Sequence, residues 1–133
     1  MIDEIEGAMI MVSNQQNALE FYTQKLGFEK QLDVDSAGYR WILVKPKDSK
    51  TVLSLVDPSN MKEWSQDDVI DAKKKVGIPT GIWFYSKDFD SAYKQLKSKD
   101  VKITIPEKQT WGGVMSIIYD QDNNSFGLVG DSA

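Results

Sequence analysis

The sequence predicts an α+β fold: two tandem βαβββ modules that form a curved mixed sheet around a concave pocket, with the helices on the outside. Short apolar runs that suit strands recur along the chain, and one segment with helical spacing of apolar residues follows the first run of each half. The two halves also repeat each other. We expect residues 1–133 to form a single domain, made of module 1 (1–57), a linker with a short helix (58–76) and module 2 (77–133).

Module 1 begins with an apolar run at 7–12, which suits a buried strand. A helix is predicted over 17–26, where Ala18, Tyr22 and Leu26 follow one another at helical spacing and Gly27 takes the place of a C-cap glycine. The strands predicted to complete the module are 29–34, 39–44 and 51–56.

The segment 57–76 differs because Met61, Trp64 and a few other apolar residues lie among many charges, which predicts a linker with one short amphipathic helix. The pattern of module 1 then returns. We predict a strand at 80–85, a helix at 88–96 and further strands at 101–105, 113–119 and 125–129.

The repeat is visible in individual residues as well as in the pattern. Gly7 aligns with Gly81, and the run 53–56 (Leu-Ser-Leu-Val) aligns with 126–129 (Phe-Gly-Leu-Val). A module of this size does not bury both faces of its own sheet. Two modules, side by side or exchanged between chains, would do so around a cavity.

The composition excludes several classes of function. The chain has no cysteine and no histidine, which removes disulfides, thiolate nucleophiles and imidazole acid–base catalysis. With 16 basic and 20 acidic residues it lacks the basic footprint of a nucleic-acid-binding protein. No apolar stretch is long enough to span a membrane, and the acidic N-terminus does not resemble a signal peptide, so we expect a cytoplasmic protein.

Two motifs point to a family. The first is Val12-Ser13-Asn14 followed by Ala18, Phe21-Tyr22 and Leu26-Gly27-Phe28, and the second is the turn 119–124 (Tyr-Asp-Gln-Asp-Asn-Asn). Together they resemble the vicinal-oxygen-chelate superfamily, which includes glyoxalases, extradiol dioxygenases and bleomycin-resistance proteins. In the second motif Gln121 replaces the usual proline and Asn123 the usual glycine. The resemblance implies paired βαβββ modules, commonly in homodimers, with a small-molecule pocket on the concave face of the sheet.

The resemblance also implies where the catalytic members hold a divalent metal. Their His, Glu or Gln ligands correspond to positions near Gly7, Ser54, Gly81 and Gly127. Three glycines and a serine cannot hold the ion through side chains, and a shift of one residue would supply at most one strong ligand, Glu6. We therefore predict no metal, no cofactor and no catalytic residue.

Strand alternation predicts which residues line the pocket. If the four former ligand positions face inward, so do Val52, Val56, Ser125 and Val129, while Ile10, Leu53, Leu55, Phe84 and Phe126 pack beneath the helices. Glycines at these positions would open space or mark bulges. An aromatic and methionine lining suits an apolar or aromatic small molecule, although the same residues would also suit a collapsed core. The predicted ligand-binding residues are Met9, Met11, Trp41, Ser54, Trp83, Tyr85, Trp111, Met115 and Tyr119.

Three further features are open to two interpretations each. The run Trp111-Gly112-Gly113 suits either a mobile gate or an ordinary loop with an anchored Trp. Arg40, the only arginine, would orient an anionic ligand or simply be a solvated strand residue. Asp120 and Asp122 resemble a carboxylate pair, but we assign them to turn capping.

The function predicted from these residues is metal-free binding of a small molecule, with sequestration of a drug or toxic metabolite as the suggested role. The alternatives are a metal-dependent glyoxalase-like lyase or dioxygenase, and a structural or regulatory module with a closed pocket. The expected partners are a small-molecule ligand and a second copy of the chain, with no nucleic acid and no membrane.

Overall fold

The computed structural model describes residues 1–131, so Ser132 and Ala133, the end of the predicted module 2, lie outside the described residues. The chain divides into two compact units, Met1–Val76 (unit 1) and Gly77–Ala133 (unit 2). Each unit contains one four-stranded mixed sheet and one helix that follows its first strand. This arrangement confirms the α+β fold with tandem βαβββ modules.

Unit 1 has its strands in the order β1-β4-β3-β2, with β1 parallel to β4 and the other pairs antiparallel. The parallel pair is possible because helix α1 crosses from the end of β1 and lets the chain re-enter the sheet. The elements are β1 (Gly7–Met11), α1 (Gln15–Glu20), β2 (Glu29–Ser36), β3 (Tyr39–Lys45) and β4 (Val52–Val56).

Helix α1 begins where Asn14 accepts a hydrogen bond from the Asn17 amide at 2.8 Å, and it continues as a π-helical turn over Phe21–Lys25. The Leu26 amide donates to the Phe21 carbonyl, which gives the wider π spacing. Gly27 then ends the helix with φ of 72°, a conformation that glycine adopts without strain.

The chain between the two sheets forms a 3₁₀ turn at Pro58–Asn60 and helix α2 (Gln66–Lys73), which Ser65 caps. Only Ala72 of α2 is buried, and Ile70 is 52% exposed. The apolar stripe predicted for this helix therefore covers little of the core. No helix among the described residues is long and apolar enough to cross a bilayer.

Unit 2 repeats the topology with the strand order β5-β8-β7-β6. Its core includes Phe126, whose ring stacks on that of Phe84 with centroids 4.8 Å apart, and Phe89 of the helix. The elements are β5 (Pro79–Tyr85), α3 (Phe89–Ser98), β6 (Glu107–Lys108), β7 (Val114–Tyr119) and β8 (Ser125–Gly130).

The strand predicted at 101–105 is present only as a single bridge between Ile103 and Ile118, and the regular strand β6 is two residues long. Beyond Ile103 the Thr104 hydroxyl accepts from the Ile117 amide at 2.8 Å. Pro106, which follows shortly after, has no amide to donate. The apolar run thus suits a strand, but the Thr104 hydroxyl bond and Pro106 interrupt the backbone hydrogen bonds of the ladder.

Burial alternates along the paired strands as predicted. Ile10, Val12, Leu53 and Leu55 are buried beneath the helix of unit 1, whereas Met9 on the other face is 54% exposed. In unit 2, Phe126 and Leu128 are buried while Trp83 and Tyr85 are 69% and 58% exposed. Each sheet therefore has one covered face and one open face. Two positions depart from the prediction, since Val56 and Gly127, expected on the open faces, are buried.

Candidate functional site

The open face of unit 1 carries the predicted residues Met9, Met11 and Ser54. Met9 is paired with Ser54 across β1 and β4, and Ser54 is paired with Leu43 of β3, so Met9, Ser54 and Leu43 lie in one row across the sheet. Their half-exposed side chains form a shallow apolar surface with a single hydroxyl. This surface can contact an apolar ligand, but it contains no titratable group.

A deeper pocket of unit 1 arises where β3 and β4 diverge. Their paired register is Leu43 with Ser54 and Val44 with Leu53. Beyond it the buried Gln15 amide donates to the Arg40 carbonyl at 2.7 Å and to the Leu55 carbonyl at 2.9 Å. A side chain from α1 thus satisfies backbone groups that a continuous ladder would pair. The Gln15 side chain therefore lies between β3 and β4 and separates them at this end of the sheet.

The pocket itself has a volume of about 320 Å³ and lies between the β2–β3 hairpin turn and the segment after the 3₁₀ turn. Tyr39 and Trp41 form its aromatic wall, with ring centroids 4.7 Å apart in an edge-to-face arrangement. Trp64 adds a third ring. The lining consists of Ser36, Ala37, Gly38, Tyr39, Trp41, Asn60, Met61, Lys62, Glu63 and Trp64.

Trp41 is the one predicted ligand-binding residue in this pocket, and Met61, Lys62 and Trp64 are lining residues that the sequence patterns did not indicate. The chain reaches this position because Asp57 accepts from the Ser59 amide at 3.0 Å and the buried Pro58 fixes the start of the turn. The available signal was a Trp and a Met within a charged linker, where solvation alone gives no reason for large apolar side chains.

Tyr39 forms part of the pocket wall and is 7% exposed. Burial raises the pKa of its phenol, and donation to its oxygen by the Asp57 backbone N–H and by Gln15 opposes that increase. The phenol therefore stays neutral at physiological pH. Tyr39 therefore contributes an uncharged aromatic ring to the pocket wall.

The open face of unit 2 forms a second, shallower cleft of about 230 Å³ around Gly127. A Cβ on Gly127 would lie 2.9 Å from the terminal carbon of Met115 and 3.1 Å from Cβ of Trp83. These two predicted residues therefore cover the glycine from either side. Ile117, paired with Gly127, is 37% exposed on the same face.

The glycines at the former ligand positions were predicted to open space or to mark bulges. The prediction of open space is wrong for Gly127, which neighbouring side chains cover. It is also wrong for Gly7, where a Cβ would lie 2.9 Å from the Val52 carbonyl oxygen. Gly81 lies in a bulge, since β5 runs from Pro79 to Trp83 while β8 advances only from Ser125 to Gly127. Its φ of 75° is one that favours glycine.

The remaining predicted residues lie at the edges of unit 2 and already have partners. Tyr85 donates to Asp131 at 2.6 Å, and this hydrogen bond raises the pKa of its phenol. The Lys102 ammonium lies 4.3 Å from the centroid of the Tyr119 ring. The Trp111 ring lies on the backbone of Gly113, which leaves no room for a side chain there. That contact is the one expected of an anchored loop Trp.

Arg40 and the aspartates of the 119–124 turn have structural partners. Arg40 donates to both carboxylate oxygens of Asp33 at 2.8 Å, an arrangement that matches neither of its two predicted roles. Asp120 accepts from the Asp122 and Asn124 amides at 2.8 and 2.9 Å, which confirms turn capping for Asp120. The Asp122 carboxylate accepts from the Gln121 side-chain amide at 3.1 Å.

The four former ligand positions do not fit a divalent metal. Gly7, Gly81 and Gly127 offer no donor side chain, and Ser54 offers one neutral hydroxyl. Met115 and Trp83 take up the room beside Gly127 that a coordinating side chain would need. Across residues 1–131 no group of three Asp or Glu side chains is placed to hold a metal ion.

Comparison with known proteins places these features in a family. The sequence profile of the Glyoxalase/Bleomycin resistance protein/Dioxygenase superfamily matches residues 2–128. The uncharacterised protein YurT of Bacillus subtilis is 36% identical over 118 residues, which are 84% of this chain and 85% of YurT.

Two solved structures are similar over nearly the whole chain. A superfamily member from Sphaerobacter thermophilus has a TM-score of 0.83 at 37% identity. The match covers 97% of this chain and 98% of that protein's chain. TnmS3, an antibiotic binding protein from a Streptomyces species, has a TM-score of 0.81 at 27% identity and covers 98% of both chains. Because the profile spans almost all of the sequence, this chain belongs to the Glyoxalase/Bleomycin resistance protein/Dioxygenase superfamily.

Proposed function

We propose that this protein binds a planar or apolar small molecule without a metal, in the manner of a sequestering protein. The observation that carries the proposal is the unit 1 pocket, where Tyr39, Trp41 and Trp64 surround about 320 Å³. That volume lies within the range of pockets that accept drug-sized molecules, roughly 300–1,000 Å³. The description of TnmS3 as an antibiotic binding protein supports the same kind of role.

The other predicted residues are proposed as supplementary contacts. Met9, Met11 and Ser54 offer an apolar surface in unit 1, and Trp83 with Met115 offers one in unit 2. Tyr85, Trp111 and Tyr119 are proposed at the periphery, because each already packs on or bonds to a neighbour. Methionine side chains suit such a surface since they adapt to ligands of different shape.

The test is calorimetric titration of the untagged, chelator-treated full chain with naphthalene-2-carboxamide, a neutral planar probe, followed by a panel of larger planar compounds. We expect saturable binding. Trp64→Ala should weaken it by about tenfold, because the ligand loses one stacked ring and the apolar surface that this ring buries. Ile105→Ala, which removes an exposed apolar side chain outside the pocket lining, is the control and should bind as the unchanged protein does. The absence of saturable binding across the panel would contradict the proposal.

Metal content distinguishes the enzymatic alternative. After incubation of untagged protein with Ni²⁺, Zn²⁺, Mn²⁺ and Fe²⁺ and gel filtration, we expect no stoichiometric metal, because the former ligand positions offer a single neutral hydroxyl and no imidazole or carboxylate. A tag with histidines must be removed, since the chain has none of its own. One tightly bound ion per chain would instead support a lyase or dioxygenase.

We also propose that the protein is a cytoplasmic homodimer. The open faces expose Met9, Trp83 and Tyr85, and a second copy of the chain would cover such apolar surface. Light scattering should then report twice the chain mass of 15.1 kDa. A monomer at micromolar concentration would contradict the dimer and leave the binding proposal to be judged by its own titration.

A further inference from the structure

One charged side chain is placed across the aromatic pocket of unit 1. Lys62 belongs to the segment that forms one wall, yet its ammonium reaches the opposite wall at the β2–β3 turn. A Cβ on Gly38 would lie 3.7 Å from Lys62 Nζ. Because residue 38 is a glycine with φ of 79°, no side chain at that position shields the ammonium or pairs with it.

The Lys62 ammonium also has no carboxylate partner. Lys30, Lys45, Lys74, Lys94 and Arg40 each lie within 4.0 Å of an acidic oxygen. Among the described residues 1–131, Lys62 makes no ion pair and no side-chain hydrogen bond. An ammonium carries three donors and no acceptor, so it can bind an acidic oxygen without losing an existing interaction.

Glu63 lines the same pocket, and a cationic ligand is therefore the competing specificity. Two observations favour the acid. The Lys62 ammonium lies at the far wall, where a ligand that fills the pocket would meet it, and the neutral Tyr39 phenol adds no second negative charge. A carboxylate bound there would gain a charge-assisted hydrogen bond.

We propose that the unit 1 pocket prefers planar aromatic molecules that carry an acidic group, and that Lys62 determines this specificity. The rings of Trp41 and Trp64 bind the planar part, and the Lys62 ammonium binds the acid at the hairpin turn. This inference rests on the proposed binding function and names the chemical class of its ligand.

The experiment compares three probes of the same shape and different charge: 2-naphthoate, naphthalene-2-carboxamide and protonated 2-naphthylmethylamine. Dissociation constants are measured by calorimetry on the full chain and on the variants Lys62→Met and Glu63→Gln. Both substitutions are at exposed positions, so they leave the core unchanged. We expect the unchanged protein to bind naphthoate about fivefold more tightly than the carboxamide, as for one partly exposed charge pair.

Lys62→Met should bind naphthoate and the carboxamide about equally, whereas Glu63→Gln should retain the preference for naphthoate. In the unchanged protein this preference should weaken at high salt, because salt screens the charge pair. Equal binding of naphthoate and carboxamide, or a preference for the amine, would overturn this inference while leaving the proposed function intact. Binding of none of the three would contradict the proposed function, and the inference with it. A naphthoate preference that survives Lys62→Met would also overturn the role of Lys62.

Discussion

The two units share one topology but present different surfaces for a ligand. In unit 1, β1 and β4 pair without interruption from Gly7 with Val52 to Met11 with Val56. In unit 2, β5 contains a bulge around Gly81 before it resumes its pairing at Trp83 with Gly127. The pocket of unit 1 lies beside the sheet, under the segment after β4, whereas the cleft of unit 2 lies on the sheet itself.

The difference shows how a repeated pattern can build two kinds of surface. The row Met9–Ser54 of unit 1 corresponds to the row Trp83–Gly127 of unit 2. In unit 1 the Met9–Ser54 row forms only a shallow surface, and the pocket of about 320 Å³ is instead formed with the segment after β4. Where the pair is Trp and Gly, the Met115 methyl group and Cβ of Trp83 cover the glycine. Three pairs of substitutions test this comparison.

The largest expected effect is at the centre of the unit 2 face. Gly127→Val places a branched side chain 3.1 Å from Cβ of Trp83, which is anchored to its strand and cannot move aside cheaply. We expect the free energy of unfolding in urea to fall by about 2 kcal/mol, a typical cost of overpacking.

The matched substitution in unit 1 is Ser54→Val, on a half-exposed row where Met9 is 54% exposed. It should change the free energy of unfolding by less than about 0.5 kcal/mol. Similar values for the two substitutions would show that the rows are equally crowded, against the comparison made above.

The next effect concerns the bulge of β5. The Thr80 hydroxyl donates to the Ser125 carbonyl at 2.8 Å and accepts from the Ile82 amide at 3.1 Å, which joins the bulge to β8. Thr80→Val keeps the shape and removes both bonds, so we expect a loss of about 1–2 kcal/mol in the free energy of unfolding.

Thr51→Val is the control for this change, because the Thr51 hydroxyl makes a single, exposed bond to the Ile5 carbonyl beside β1, at the start of the regular pair. A change of at most about 0.5 kcal/mol is expected there. If hydrogen exchange of β5 were unaltered by Thr80→Val, the hydroxyl would have no role in holding the bulge.

The smallest effect is on the ion pair of unit 1. Hydrogen bonding to the Arg40 guanidinium holds the pKa of Asp33 below its usual value. Because the folded pKa is depressed, the stabilisation is present above the unfolded carboxyl pKa of about 4 and is lost as the pH falls through the folded pKa. Arg40→Met should therefore cost about 1 kcal/mol at pH 7, and less with each step below about pH 4.

Urea titrations from pH 7 to pH 2.5 measure this effect. Lys94→Met removes the exposed pair with Asp90 on α3 and should give no measurable change at any pH. A deficit of Arg40→Met that stayed constant down to pH 2.5 would assign the loss to packing of the arginine stem rather than to the charge.

Much of the fold follows from local sequence patterns. β1 and β4 are almost wholly apolar, and burial of Ile10 and Leu55 nevertheless alternates with exposure because neighbouring side chains of a strand point to opposite faces. Val56 is an exception at a strand end. The strand predicted at 101–105 is another, since neither the Thr104 hydroxyl bond nor the effect of Pro106 on the ladder is visible in hydrophobicity.

The candidate site was less predictable. Trp41 was named from its strand parity, but Trp64 and Lys62 reach the same pocket only because the chain after β4 turns at Asp57 and returns over the hairpin. The crowding at Gly127 likewise depends on the lateral distance between three strands, which alternation along one strand does not contain.

The sequence by itself determined the two βαβββ patterns, the face that most residues of the paired strands occupy, and the absence of imidazole and thiolate chemistry, because these depend on residue type and on spacing along one element. Only the tertiary structure decided that the aromatic pocket of unit 1 lies beside its sheet, that Trp83 and Met115 cover Gly127, and that Arg40 pairs with Asp33. Those features depend on side chains from different elements meeting at particular distances, and such distances are set by packing of the whole chain rather than by any local pattern.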